Sequence, residues 1–161
     1  MNRRKLIRNY VASLLANSLE DVPVYRSRRI PIERGDCRAI NVSIEKERNE
    51  PFAKSPLELK KRSELSIELI VTDDEDENSD DLIDDMTAKI EEILHFDESF
   101  HNLIDQCVLE QTETYFAREG EEERGMARMV YEITYFAIPN QTVELNEFTG
   151  ARVHFKEGNG A

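Results

Sequence analysis

The stretch that decides the fold is ELSIELIVTDDEDENSDDLIDDMTAKIEEILH, residues 64–95, because its hydrophobic period changes part-way along. Its first part alternates apolar and polar residues, which is typical of a half-buried strand. The apolar set of this strand is Leu65, Ile67, Leu69 and Val71. After the acidic run, apolar residues recur as on one face of a helix. That set is Leu82, Ile83, Met86, Ile90, Ile93 and Leu94. With Asn78 or Ser79 as the helix cap, the stretch predicts a strand, an acidic loop and a helix.

The remaining patterns predict a second helix, four more strands and one projecting loop. The predicted elements are a helix at 3–18, strands at 22–28, 38–46, 108–118 and 126–138, and a helical turn between 95 and 107. The last two strands form a hairpin. Residues 47–61 are highly charged and contain Pro51 and Pro56, so we expect a loop there. A loop of that length is often functional.

This order of elements predicts an α+β fold, with a mostly antiparallel sheet of about four to five strands and two helices packed on one face. The 161 residues suit one domain, which we place at 1–139. Residues 140–161 are expected to form a C-terminal extension, as an edge strand or a flexible tail. No stretch approaches the roughly 18 apolar residues that cross a bilayer.

The chain has a strongly negative net charge, and its charged residues are unevenly distributed along the sequence. The net charge of −13 argues against a nucleic-acid-binding surface. Residues 1–34, however, hold eight basic and three acidic side chains, a net of +5, which leaves −18 for the remainder. A molecule with two signs of charge can associate head to tail with its own copies or with charged partners. The alternative is that these cations only decorate one helix and one strand.

The sequence lacks the motifs of the common enzyme and cofactor sites. It has no glycine-rich phosphate loop and no nucleophile elbow. His95, His101 and Cys107 are not followed by the second ligand pair that a zinc site needs. Cys37 and Cys107 are far apart and are expected to be reduced. No His or Lys is placed beside an acidic cluster for acid–base catalysis. We therefore predict no enzyme activity, no catalytic residue and no cofactor.

The acidic run has only part of a calcium-loop pattern. Asp74, Asp76, Asn78, Asp80 and Asp85 fall at the spacing of an EF-hand, positions 1, 3, 5, 7 and 12. The sixth position is a serine instead of glycine, the twelfth an aspartate instead of glutamate, and a strand precedes the loop. No specific metal site is predicted. Weak divalent binding at Asp74, Asp76 and Asp80 stays open beside the alternative that these acids cap the helix and solvate the loop.

The order and local texture of these elements resemble one protein family. The pieces that carry the resemblance are RRKLIRNYVASLLAN, VYRSRRIPI, CRAINVSIE, SELSIELIV, DDLIDDMTAKIEEIL, EQTETYF and GMARMVYEITYFAI, which together span residues 3–138. The most characteristic are residues 130–135, VYEITY, and the helix start at 81–84, DLID. The chain resembles the tail terminator proteins, also called minor tail or head–tail joining proteins, of long-tailed bacteriophages. The segments 47–61, 73–80 and the tail after Pro139 depart from that pattern.

The resemblance implies a structural virion protein. Family members form a hexameric ring on the finished tail tube, stop its polymerisation and present a surface for the head connector. The implied partners are further copies of the chain, the major tail tube protein and a head-completion or connector protein. DNA passes through the ring without specific binding, and no membrane is involved. The implied location is the head-proximal end of the tail in the virion, and the host cytoplasm during assembly.

A closed ring requires a heterologous interface, in which one side of the subunit complements the other. On this basis we expect the subunit or partner interface to include Arg3, Arg4, Arg8, Arg26, Arg28 and Arg29. The acidic surface expected to face the lumen or an adjacent ring comprises Asp73, Asp74, Glu75, Asp76, Glu121, Glu122 and Glu123. An acidic lumen would repel the phosphates of passing DNA.

Three other functions compete with this interpretation. A head–tail stopper or a tube-like subunit is a related structural alternative, for which the hairpin at 108–138 could serve as an inner hairpin. A small metal-dependent enzyme would use the acidic loop and would need converging carboxylates. An acidic DNA-mimic inhibitor would need carboxylates regularly spaced along one face, and the clustering of the acids argues against it.

Overall fold

The computed structural model describes residues 2–27, 38–72, 78–119 and 122–139, without the side chains of Glu119 and Glu122. The elements in chain order are α1 (Arg3–Ser18), β1 (Val24–Arg26), β2 (Arg38–Lys54), β3 (Leu57–Thr72), α2 (Ser79–Phe96), α3 (Glu98–Leu103), β4 (Gln106–Glu119) and β5 (Glu122–Ala137). The predicted extension at 140–161 lies outside the described residues.

The strands form one sheet in the order β1-β2-β3-β5-β4. β1 runs parallel to β2, and every other neighbouring pair is antiparallel. The long helices α1 and α2 pack beside each other and share one hydrophobic core with the sheet. The structure confirms the predicted α+β fold with a mostly antiparallel sheet.

The core lies between the helices and one face of the sheet. The side chains of Leu65, Ile67, Leu69 and Val71 on β3 have no exposed surface. They meet the apolar face of α2, whose buried members include Leu82, Ile83, Met86, Ile90 and Leu94. Burying a side chain of this size stabilises the fold by about 1.5–3 kcal/mol. The strand and the helix predicted from residues 64–95 are therefore confirmed, and Asn78 caps α2 by accepting a hydrogen bond from the Asp81 amide at 3.0 Å.

A close approach between α2 and β5 fixes the position of the helix on the sheet. At Gly125 an added Cβ would collide with Cδ1 of Ile83 and would lie 3.2 Å from Cβ of Ser79. The start of α2 therefore rests directly on the backbone at the start of β5. Any larger residue at 125 would require the Ile83 side chain to shift.

The helix α3 is short and is held by one carboxylate. Asp97 caps it by accepting a hydrogen bond from the Phe100 amide at 2.7 Å. The same oxygen accepts a hydrogen bond from the Tyr10 hydroxyl of α1 at 2.6 Å. Burial, together with this contact to Asp97, raises the pKa of Tyr10. The predicted helical turn is thus a helix whose cap also joins it to α1.

The prediction of a loop at 47–61 is wrong. β2 and β3 continue as a paired hairpin from Glu47–Ser63 to Lys54–Leu57, and the chain turns at 55–56. Ladder irregularities between Ile44 and Lys46 and between Pro51 and Ala53 admit the extra residues, and a bulge is where a strand accommodates proline. The sequence of this half of the hairpin shows no apolar alternation because the half is largely solvated. Its strands are held by the hydrogen bonds between β2 and β3.

Candidate assembly surfaces

The face of the sheet opposite the helices carries ion pairs, as in many antiparallel sheets with one solvated side. Arg128 lies 3.3 Å from a carboxylate oxygen of Glu45 and 3.1 Å from the Ser66 hydroxyl. Arg62 lies 3.9 Å from Glu132 on the neighbouring strand. Such exposed ion pairs contribute about 0–1 kcal/mol each. Towards β4 the same face also exposes apolar side chains, namely Val108, Tyr115 and Met126, which are 45%, 54% and 40% exposed.

The strand register brings the described residues beside the two predicted acidic clusters to one end of the sheet. Thr72, the last residue of β3, pairs with Arg124, and Glu123 pairs with Arg118. We call this the acidic end, after the adjoining segments 73–81 and 121–123 of the sequence. Its described charged side chains are the acidic Asp80, Asp81 and Glu123 and the basic Arg38, Arg118 and Arg124. This proximity depends on the β3–β5 pairing, which the sequence alone does not reveal.

The remaining predicted acidic positions are not described. These are Asp73, Asp74, Glu75, Asp76, Glu121 and the side chain of Glu122. Of the residues considered for weak divalent binding, only Asp80 is described. Within the described ranges, no group of three or more His, Cys, Asp or Glu side chains is arranged to hold a metal ion.

Three of the predicted interface arginines make contacts within the subunit. Arg3 donates to the Leu103 carbonyl at 3.1 Å, and Arg4 donates to the Ile44 carbonyl at 2.5 Å. Arg8 donates to the Ser27 hydroxyl at 3.1 Å. These side chains fasten α1 to α3, β2 and the end of β1.

The side chains of Arg3, Arg4 and Arg8 are all partly buried. Arg26 is exposed, whereas Arg28 and Arg29 lie outside the described residues.

The outer half of the β2–β3 hairpin, residues 46–62, forms a paired arm where the sequence predicts a projecting loop. Its six basic and three acidic side chains give it a net charge of +3 in a chain of net charge −13. β5 accompanies β3 only as far as Leu59, so the tip at 51–58 extends past the rest of the sheet. Phe52 and Leu57 at this tip are 63% and 46% exposed. The Phe52 ring is held against Phe136, with 4.8 Å between ring centroids.

A polar cluster fixes the base of the arm. The carboxylate of Glu47 accepts hydrogen bonds from the Tyr135 hydroxyl and, at 3.2 Å, from the Ser63 hydroxyl. Lys61 lies 3.3 Å away. Burial raises the pKa of Glu47, but the hydrogen bonds and the charge of Lys61 together lower it further, so that its pKa lies below the ordinary value. The ionised carboxylate therefore ties β2 to β3 and β5 where the core ends.

A groove lies between the last turns of α2 and the edge strand β4. It has a volume of about 440 Å³. Its lining is partly apolar, with Phe96, Leu109 and Tyr131, and partly polar, with Glu91, Glu92, His95 and His101. The Phe96 side chain is 73% exposed. We call this site the α2–β4 groove.

The interior of the α2–β4 groove is poorly solvated. Burial raises the pKa of the Cys107 thiol to about 11 and also raises the pKa of Tyr131. The buried Tyr131 hydroxyl has no hydrogen-bond partner among the described residues. Buried polar groups are nearly always paired, so this hydroxyl is an unmet donor at the groove.

The model of the phage minor tail protein U family matches residues 2–135. The match covers all three described helices and the sheet up to the last residues of β5, and the chain belongs to this family. It is accordingly a structural component of the phage tail. A search of curated proteins finds no match to the chain. Among the described residues, no helix is both long enough and apolar enough to span a membrane.

Proposed function

We propose that this protein caps the phage tail tube as a ring, ends tail polymerisation and forms the surface to which the head attaches. Family membership supports the location in the tail. The observation that carries the ring is the separation of charge along β3. The arm at one end has a net charge of +3, whereas the sequence that continues from Thr72 at the other end, residues 73–81, holds seven acidic side chains and no basic one. Heterologous contacts that close into a ring need such unlike surfaces on one subunit.

The two surfaces lie at opposite ends of β3. From Leu57 at the arm to Thr72 at the acidic end, the strand covers about 50 Å at 3.3 Å per residue. The acidic end faces the central hole or the adjacent ring, where its carboxylates repel the phosphates of passing DNA. The ring is thereby a conduit for DNA and a structural part of the tail, with no catalytic role.

The proposal is tested with tail tubes purified from assemblies that lack this protein. Added protein should form a ring at one end of each tube in electron micrographs and stop further elongation. Light scattering of the released ring should give a mass of six times 18.7 kDa. Tubes that keep lengthening at the same rate in its presence would contradict the proposal.

The lumen assignment has a separate test. The variant Asp80→Asn/Asp81→Asn/Glu123→Gln removes three charges from the acidic end, so its rings should retain more duplex DNA at low salt. The matched control Glu98→Gln/Asp105→Asn/Glu110→Gln removes three charges elsewhere. Equal DNA retention by the two variants would show that the acidic end does not face the DNA.

A tube-like subunit is a second candidate, favoured by the long β2–β3 hairpin. Such a subunit would be incorporated along the tube, whereas a cap binds at one end. Gold-labelled protein in the same micrographs separates the two functions by its position.

A further inference from the structure

We propose that the tip of the arm, residues 51–58, binds in the α2–β4 groove of a second copy of the chain. This inference rests on the proposed function, which supplies the ring. It extends that function by naming the two surfaces that join neighbouring subunits. Both surfaces lie within the described residues.

The tip and the groove have complementary shapes, and both present apolar side chains. The tip presents Phe52 and Leu57 on a narrow two-stranded hairpin. The groove is concave and presents Phe96 and Leu109 along its walls. An exposed aromatic side chain that enters an apolar pocket is the usual anchor of a protein interface.

The charges of the two surfaces are opposite. The helix α2 has six acidic side chains and one lysine, a net charge of −5, and Glu91 and Glu92 line the groove. The arm has a net charge of +3, which comes from residues 60–62 beside the tip, while the tip itself has Lys54 and Glu58. Opposite charges around an apolar centre orient an approaching partner and exclude like-charged ones. This complementarity favours the arm over any acidic segment as the occupant.

The strand register excludes the arm of the same chain as the occupant. Tyr131 in the groove pairs with Leu65 on β3, and Leu57 lies eight residues further along that strand. Eight residues of strand correspond to about 26 Å, so the tip is carried away from its own groove. The tip can therefore reach only the groove of another copy.

The tip and the groove lie on different parts of the subunit, so two joined subunits still have one free tip and one free groove. A series of such contacts must therefore either close into a ring or continue as a filament.

The contact is tested by crosslinking between two differently tagged forms of the full chain. Both have Cys37→Ser and Cys107→Ser, one has Lys54→Cys at the tip, and the other has Glu92→Cys at the groove. A short bis-maleimide should join them into a mixed dimer, both in concentrated solution and on tail tubes. In the matched control the second form has Asp84→Cys, an exposed position two turns earlier on α2.

A mixed dimer with Glu92→Cys and little with Asp84→Cys supports the contact. Adding Phe52→Ser to the first form should lower the yield about tenfold, the effect expected for loss of an anchor residue. Equal yields at the two positions would overturn the contact even if light scattering finds rings, and the proposed function would survive. Crosslinking of Glu92→Cys to Val143→Cys within one chain would assign the groove to the chain's own 140–161 segment and would also overturn it.

A charge exchange supplies an independent readout. Lys54→Glu alone and Glu92→Lys alone should each weaken self-association measured by light scattering. A mixture of Lys54→Glu chains with Glu92→Lys chains should restore pairing between them, because the unlike charges are then exchanged across the contact. Loss in both single variants without recovery in the mixture would count against the proposed pairing.

Discussion

The β2–β3 hairpin has two halves that are built differently although the same two strands form both. In the inner half, residues 38–44 pair with 65–71, and β3 pairs in turn with β5. Helices cover one face of this half, and the apolar side chains on that face are buried. The outer half, the arm, has charged side chains and exposes Phe52 and Leu57. The difference teaches that hydrogen-bonded pairing can continue beyond the core when cross-strand polar contacts replace burial. Stability should therefore depend on the inner half and association on the outer half.

The largest difference should appear when one leucine is truncated in each half. Leu65→Ala leaves a cavity in the core and should lower the free energy of unfolding by about 2–5 kcal/mol. Leu57→Ala, at the exposed tip, should change it by less than about 0.5 kcal/mol. Urea unfolding measures both. Similar losses in the two variants would show that the arm is part of the cooperative core.

A smaller effect is expected where α2 meets the inner sheet. Gly125→Ala introduces a Cβ against Cδ1 of Ile83 and should lower the free energy of unfolding by about 1–3 kcal/mol. Ile83→Val removes that same Cδ1 atom. The double variant should therefore be more stable than the sum of the two single losses predicts, as a double-mutant cycle measures. Strict additivity would contradict the contact.

At the junction of the two halves, the prediction concerns pH. The folded-state pKa of Glu47 is lowered from 4.5, so its ionised form stabilises the fold above pH 4.5, and this contribution is lost as the pH falls below that value. Glu47→Gln should cost about 1 kcal/mol at pH 7. The difference from the wild type should shrink below pH 4.5 in urea titrations. A difference that is independent of pH would mean that Glu47 contributes by packing alone.

The smallest effect is expected on the solvated face of the arm. Lys46 lies 3.5 Å from Glu64, and the lysine side chain is 70% exposed. Removing the pair by Lys46→Gln and Glu64→Gln should give a coupling energy below about 0.5 kcal/mol that declines further in high salt. A larger coupling in unfolding experiments would show that surface ion pairs, more than backbone pairing, hold the arm together.

The sequence was most informative where burial imposes a period. Leu65 to Val71 on β3 and Leu82 to Leu94 on α2 were predictable because each faces the core at fixed spacing. The arm was not, since Pro51, Pro56 and many charges are also typical of loops. Its strand character depends on pairing between β2 and β3, which is a relation between two segments.

The candidate surfaces were predictable only in part, for the same reason. The acidic residues were evident from the sequence, but the proximity of the strand ends beside them depends on Thr72 pairing with Arg124. The role of Arg3 and Arg4 within the subunit depends on the carbonyls of Leu103 and Ile44, which are distant in sequence. The α2–β4 groove has no sequence motif, because it results from α2 leaving the edge strand uncovered.

The order of the strands also links folding to assembly. Two of the strand pairs are local hairpins, β2 with β3 and β4 with β5. The pairing of β3 with β5, here called the β3–β5 seam, must bring together residues separated by both α2 and α3. Closing a long segment carries the larger entropic cost, so this seam is expected to form after the two hairpins. One wall of the α2–β4 groove is α2, which follows β3 in the chain, and the other is β4, which belongs to the second hairpin. The groove is therefore complete only when β3 has paired with β5. Under the proposed contact, the arm of a newly synthesised chain could bind another subunit early. Its own groove could bind the arm of another chain only once the chain is fully folded.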